Sequence, residues 1–294
     1  MPDISHYLQT QRHLIEERLE QLISPRHGHY QHLFEAARYA ILDGGKRLRP
    51  IMALATAQMF GIDPQIGLSA ACTLEMVHTY SMIHDDLPCM DDDDFRRGKL
   101  TVHRKYNDGH AVLTGDYLLT YAFEVLAADP HLSADKKVKL IRTLAYRIGS
   151  DGMIGGQVMD LAFEGKNISL DTLRLLHQNK TGALITAAVE FGGIIANATE
   201  IQLNYLRQFG ESIGLAFQIV DDILDVTSSQ MKHGRQMASD LINDKSTYVT
   251  LLGLDQADAY AREHYQKATQ ALQNLPFNST LLVQLANYAL NRTN

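Results

Sequence analysis

The sequence predicts an all-α fold: a single large helical bundle formed by one domain over residues 1–294. Three observations predict it. The seven prolines fall between stretches of helical apolar period, and none lies between Pro130 and Pro276 to break a helix by losing a donor and clashing with the preceding turn. Apolar residues recur at about 3.6-residue spacing, as in Ile213, Phe217, Val220 and Leu224. Strict alternation flanked by hairpin turns is hard to find.

Taken in order, a first helix is expected over 4–22, ending before Pro25. Helices over 32–43 and 50–61 flank Gly44-Gly45, a predicted bend. Pro64 and Pro88 bracket a helix over 66–87, where Leu74, Val77 and Ser81 keep helical spacing. Next come 108–128, closed by Pro130, and 134–150. Gly155-Gly156 and Gly192-Gly193 are read as bends on either side of a helix over 170–191. The series ends with 199–228, 246–253, 255–272 and, beyond Pro276, 279–290. No low-complexity linker and no fixed-period repeat divides them.

Composition is that of a globular chain, 45% hydrophobic and 21% charged. The net charge of −7 argues against a broad basic face for nucleic acid. Cys72 and Cys89 have no metal or disulfide spacing. The amino terminus shows no apolar run after a basic start. The longest apolar stretch, Gly182 to Ala198, is broken by Glu190 and falls short of a membrane span of about 20 residues. A cytoplasmic protein is the expectation.

Two acidic clusters stand out. The first is His84-Asp85-Asp86-Leu87-Pro88-Cys89-Met90-Asp91-Asp92-Asp93-Asp94, the second Gln218-Ile219-Val220-Asp221-Asp222-Ile223-Leu224-Asp225. An acidic run is usually a solvated face, but the second lies in an otherwise apolar segment. Gln218, Asp221, Asp222 and Asp225 share one helical face, where like charges destabilise each other and resist leaving water. A bound cation relieves both costs. On the first helix His78 and Asp85 share a face about 10 Å apart. Asp91 lies about 120° away from Asp85 on a straight helix, so the two can meet only if Pro88 ends the helix in an irregular turn. Carboxylate oxygens suit Mg²⁺, or Mn²⁺ as a substitute, over zinc or copper. Phe95 and Gly98 break the pattern of an EF-hand loop. Because magnesium takes few carboxylates together with substrate phosphates, a phosphorylated ligand is implied.

Its positive partners are visible in Lys46, Arg47 and Arg49, in Arg96-Arg97, in Lys180, and in Arg235 and Lys245. Singly these could be surface ion pairs worth about 0–1 kcal/mol. Gathered beside the carboxylates they point to phosphate recognition, for which arginine offers bidentate geometry. By contrast, the His27–His32 run, His103, His110 and Cys89 carry no metal pattern, and the ten methionines read as core filler.

The strings GGKRLRP (44–50), LEMVHTYSMIHDDLPCMDDDDFRRG (74–98), GGQVMD (155–160), KTGALI (180–185), FQIVDDILD (217–225) and DKSTY (244–248) resemble the trans-isoprenyl diphosphate synthases, most closely the bacterial farnesyl diphosphate synthases. The resemblance implies the isoprenoid synthase fold, with a central cavity between two Asp-rich helices. It also implies Mg²⁺-dependent head-to-tail condensation of isopentenyl diphosphate with an allylic diphosphate. Asp85, Asp91 and Asp221 would hold three Mg²⁺ ions, with Asp86 and Asp225 as further ligands or as supports of those ligands. Arg96, Lys180, Thr181, Gln218, Arg235 and Lys245 would bind the allylic diphosphate, and Lys46, Arg49, His78 and Arg97 isopentenyl diphosphate. The Gln218 amide oxygen and the backbone carbonyl near Lys180 would face the carbocation. A homodimer is implied as well.

One segment departs from the family pattern: where GKxxGxD is usual, Gly234-Arg235-Gln236-Met237-Ala238-Ser239-Asp240 stands, keeping the charge but changing the donor. Tyr80 and Ser81, one turn before Asp85, are expected to limit the chain at fifteen carbons. The two extra residues of DDLPCMD also occur in similar enzymes making twenty-carbon chains, so a geranylgeranyl product is the close alternative. A terpene cyclase would have no need of GGKRLRP and His78. An HD-type phosphohydrolase would need more helix-borne histidines. A regulatory subunit would have lost its acidic motifs.

Overall fold

The computed structural model describes residues 4–242 and 246–290, with side chains described through 227 and again from 246. The chain gathers into two compact units, Met1–Ile141 with Ile194–Ala196, and Arg142–Gly193 with Asn197–Asn294. Helices dominate both.

The first unit holds α1 (Ile4–Leu22), α2 (Gln31–Ile41), α3 (Leu48–Met59), α4 (Pro64–Asp85), the short α5 (Val102–Lys105) and α6 (Asp108–Ala128). The centre is α4. The Asp63 carboxylate caps it by accepting from the Gln65 N–H at 2.9 Å, and Pro64 fills the first turn, where no amide partner is missed. From Gly67 to Val77 every residue is buried, the mark of a helix surrounded on all sides. Helices α1, α2, α3 and α6 pack around it. α6 has the length and hydropathy of a membrane span. One face of it packs within the unit, burying Ala111, Leu118, Ala122 and Leu126. Gly115 admits the His84 ring, whose Nε2 would lie 2.1 Å from an added Cβ.

A hairpin joins α4 to α5. Two-residue strands β1 (Phe95–Arg96) and β2 (Lys99–Leu100) pair antiparallel about Arg97 and Gly98. Positive φ at both turn residues, 52° and 79°, makes this the turn whose twist matches paired strands. Strands this short show no alternation, which is why the sequence did not reveal them.

The second unit contains α8 (Met153–Phe163), α9 (Leu170–His177), a π-turn (Gln178–Gly182), α11 (Glu200–Ile242), α12 (Tyr248–Leu252), α13 (Leu254–Gln273) and α14 (Thr280–Leu290). α7 (Ala134–Ile148) and α10 (Ala183–Ile195) contribute to both units. Leu173, Leu215, Ile219, Tyr248, Ala257 and Ala261 form a core cluster. Buried Glu190 of α10 accepts from Arg147 Nε at 2.8 Å and Arg207 Nε at 2.6 Å, which satisfies the charge that interrupts this apolar stretch.

Two expected bends are corrected. Gly155-Gly156 lies within α8 and Gly192-Gly193 within α10, because these glycines serve close packing: a Cβ on Gly156 would stand 2.2 Å from Lys180 N, and one on Gly193 2.7 Å from Leu206. The helix expected over 170–191 is divided by the π-turn. The helix expected over 199–228 runs on to Ile242 through Gly234, since no proline stops it where the apolar period fades. Gly44 and Gly45, with φ of 80° and 115°, do form a bend.

Candidate active site

In the first unit the acidic cluster begins where α4 ends. The helix closes with Asp85, and Pro88 prevents its continuation. The Asp91 N–H then donates to the Asp85 carbonyl at 2.9 Å, and the Met90 and Asp92 N–H groups both return to Leu87 O. This is the irregular turn the proline implies, and it brings Asp91 back beside Asp85. Asp85 is half-buried; Asp91 and Cys89 are exposed.

Asp86 is only 3% exposed. Arg96 Nε donates to both of its carboxylate oxygens, at 2.8 and 3.0 Å, and Nη2 adds a third bond at 2.5 Å. Burial raises the Asp86 pKa despite this partner. A carboxylate committed to a guanidinium in this way orients Arg96 and has both of its oxygens engaged.

Of the residues expected to bind isopentenyl diphosphate, Arg49 and Arg97 act on His78. Burial holds its pKa well below the usual imidazole value, and the neighbouring charges of Arg49, Arg97, Arg96 and Arg47 lower it further. A neutral imidazole beside guanidinium groups suits an anion. Arg97 reaches it from the hairpin, with Nη1 donating to Gly44 O at 2.8 Å. Tyr39 OH donates to Leu100 O at 2.7 Å, and Lys99 pairs with Asp43, so the hairpin is fastened to the end of α2. A cavity of about 50 Å³ lies here, lined by His78, Met82, Asp86, Arg96 and Arg97 among others. Lys46 is exposed and Arg49 half-buried.

Tyr80 is 5% exposed. Its ring meets that of His84 edge-on, with centroids 5.7 Å apart. Burial, then the charge of Asp85, pushes its hydroxyl pKa up to about 12. The Ser81 hydroxyl turns back to the helix, donating to His78 O at 3.0 Å.

The second unit carries the other cluster on α11. Thr181 Oγ1 donates to Gln218 Oε1 at 3.1 Å, and Gln218 Nε2 contacts Asp222 Oδ1 at 3.4 Å. Asp222 is buried and accepts the Tyr248 N–H at 2.9 Å. Its pKa rises to about 6 because burial outweighs the hydrogen bonds from Tyr248 and Gln218, with Asp225 and Asp221 adding to the rise. Asp221 is half-buried and Asp225 exposed. Lys180 Nζ donates to Asp160 Oδ2 at 2.5 Å. Lys180 and Thr181 ride on the π-turn, a form of helix frequent at functional sites. The side chains of Arg235 and Lys245 lie outside the described residues.

Arg47, expected among the phosphate partners, is instead buried and donates to Glu75 Oε1 at 2.7 Å, while Asp160 and Asp222 support Lys180 and Gln218. Asp160 closes the GGQVMD string and Asp222 follows Gln218 by one helical turn. Their patterns were visible, whereas their burial and partners depend on tertiary packing. The His27–Tyr30 run is exposed, and His103 bonds Thr101 Oγ1 at 3.1 Å.

Among the described residues no group of three or more His, Cys, Asp and Glu side chains is placed to hold a metal. The donors present nevertheless suit magnesium. They are hard carboxylate oxygens, borne by Asp85 and Asp91, whose backbones the 85–91 turn joins, without a thiolate or imidazole pattern. Such a site needs few protein ligands when substrate phosphates complete it.

A family model for polyprenyl synthetases matches residues 30–277. The chain belongs to the polyprenyl synthetase family. This polyprenyl synthetase is 44% identical over 294 residues to a farnesyl diphosphate synthase from Haemophilus influenzae, covering 99% of each. It is 43% identical over 265 residues to a chloroplastic geranylgeranyl pyrophosphate synthase from Catharanthus roseus, covering 89% of this chain and 74% of that one. Its structure matches that of an FPP/GFPP synthase from Zymomonas mobilis with a TM-score of 0.87 at 36% identity, covering 97% of this chain and 98% of the other. The polyprenyl synthetase therefore has the isoprenoid synthase fold and is a prenyltransferase.

Proposed function

We propose that this prenyltransferase makes farnesyl diphosphate, joining isopentenyl diphosphate head-to-tail first to dimethylallyl and then to geranyl diphosphate. The observation that carries the product length is buried Tyr80, five residues before Asp85 on α4. We read its bulky ring as the floor that stops the growing tail past the first acidic motif. The full-length likeness to the Haemophilus influenzae farnesyl diphosphate synthase supports the same product.

Lys46, Arg49, neutral His78 and Arg97 hold isopentenyl diphosphate. Arg96, Lys180, Thr181 and Gln218 hold the allylic diphosphate, with Arg235 and Lys245 assigned on family grounds. Asp85, Asp91, Asp221 and Asp225 would bind magnesium, and Asp86 supports Arg96. Magnesium, when bound, supplies charge that neutralises the diphosphate as the carbon–oxygen bond breaks. The basic side chains add fixed charge that needs no reorganisation during that step. The Gln218 amide oxygen orients toward developing positive charge, and the released diphosphate accepts the final proton. A cytoplasmic homodimer belongs to the same proposal.

Incubation with Mg²⁺, isopentenyl diphosphate and dimethylallyl diphosphate should give a fifteen-carbon product, and chelation by EDTA should abolish coupling. Tyr80→Ala should lengthen the product to twenty carbons or more. A twenty-carbon product from the unaltered enzyme would favour the geranylgeranyl alternative, which the two extra residues of DDLPCMD and the likeness to the Catharanthus roseus enzyme support.

A further inference from the structure

We propose that Glu75 is a positioning residue for isopentenyl diphosphate, acting through Arg47; the inference rests on the condensation proposed above. Arg47 lies between two phosphate-binding residues in the sequence, yet it is 2% exposed and turned into the fold. Its Nη1 donates to Glu75 Oε1 at 2.7 Å and its Nη2 to Ile41 O at 2.6 Å, while Glu16 Oε1 stands 3.7 Å from its Nε. Glu75 is 4% exposed. A pair removed from water this completely must be matched group for group, because either partner left alone is a buried unpaired charge.

The backbone shows what the pair holds. Arg47 has φ of 48°, a left-handed conformation unusual for a residue with a side chain. That conformation is the joint between the Gly44-Gly45 bend and the first turn of α3. It lets Arg47 point inward while Lys46, on the residue before it, remains exposed. The same bend presents the Gly44 carbonyl that receives Arg97, and a Cβ at Gly45 would lie 2.8 Å from Arg97 Nη1. One buried ion pair therefore sets the register of Lys46, Arg49 and Arg97 together.

Glu75 also precedes His78 by one helical turn on α4. Among the arginines that act on His78, Arg96 is held by Asp86 and Arg47 by Glu75. Arg97 is met by a carbonyl oxygen, so its charge stays available to an anion. Glu75 thus compensates the arginine that shapes the turn.

Steady-state kinetics of Glu75→Gln and Arg47→Lys test this. Glu75→Gln should raise the KM for isopentenyl diphosphate about tenfold, with the KM for the allylic diphosphate within about twofold of the unaltered enzyme. Arg47→Lys keeps the charge, so it should give a smaller rise of about threefold in the same KM. Folding of each variant is checked by circular dichroism and Tm. The proposal is overturned if a folded variant leaves the isopentenyl diphosphate KM unchanged or moves both KM values equally. It is overturned too if neither variant folds, since the pair would then be structural alone. Failure of the unaltered enzyme to couple isopentenyl diphosphate to any allylic diphosphate would instead overturn the proposed condensation.

Discussion

His177, at the end of α9, has its ring 5.4 Å from that of Tyr248. Burial lowers its pKa to about 4; the charge of Asp160 opposes the shift and that of Lys180 adds to it. The folded state therefore prefers the neutral ring, whereas an unfolded histidine titrates near 6.5. Its contribution to stability is complete above pH 6.5 and is lost as pH falls toward 4, up to about 3 kcal/mol for a shift of this size. His177→Gln should flatten the acid side of the Tm-against-pH curve over that window. An unchanged slope would mean that the ring titrates normally. Single residues of this kind were the least legible in the sequence. Asp85 and Asp91 could be read because Pro88 forces an irregular turn, whatever surrounds it. The burial of Asp86, Asp222 and Arg47 could not, because a carboxylate or guanidinium in a string looks the same paired inside as it does solvated.

At the scale of elements, α8 and the π-turn are the instructive pair. Gly156 faces the backbone nitrogen of Lys180 so closely that a methyl group has no room. Backbone cannot move aside as the end of a flexible side chain can, so Gly156→Ala should cost about 1–3 kcal/mol or more. The displaced π-turn should also weaken the Lys180–Asp160 and Thr181–Gln218 contacts. Thermal denaturation together with the allylic diphosphate KM measures both effects, and a variant matching the unaltered protein in each would show that the turn yields freely. Two of the three glycine doublets are not the bends the sequence suggests, because a glycine in sequence does not say whether it supplies a backbone angle or merely a small volume. Gly44-Gly45 supplies the angle. Gly156 and Gly193 supply the space. The boundaries of α1, α6 and α14 were legible because apolar period and punctuation agree there.

Across the whole molecule, the helical class and the motifs that mark the family were open to sequence reading, while the grouping of helices into compact units was not. That grouping depends on which apolar faces meet, and α4 offers no single face to read. From Gly67 to Val77 it is enclosed all round by its own unit, and an enclosed helix acts as a clock for the fold around it. Its amide protons have no route to deuterium short of dismantling their neighbours, so they should outlast those of the 95–100 hairpin in exchange followed by mass spectrometry. Isotope uptake in α4 as early as in that hairpin would mean its surroundings breathe. If it stays slow, the last deuterons to enter report the opening free energy of the surrounding unit, with no denaturant added.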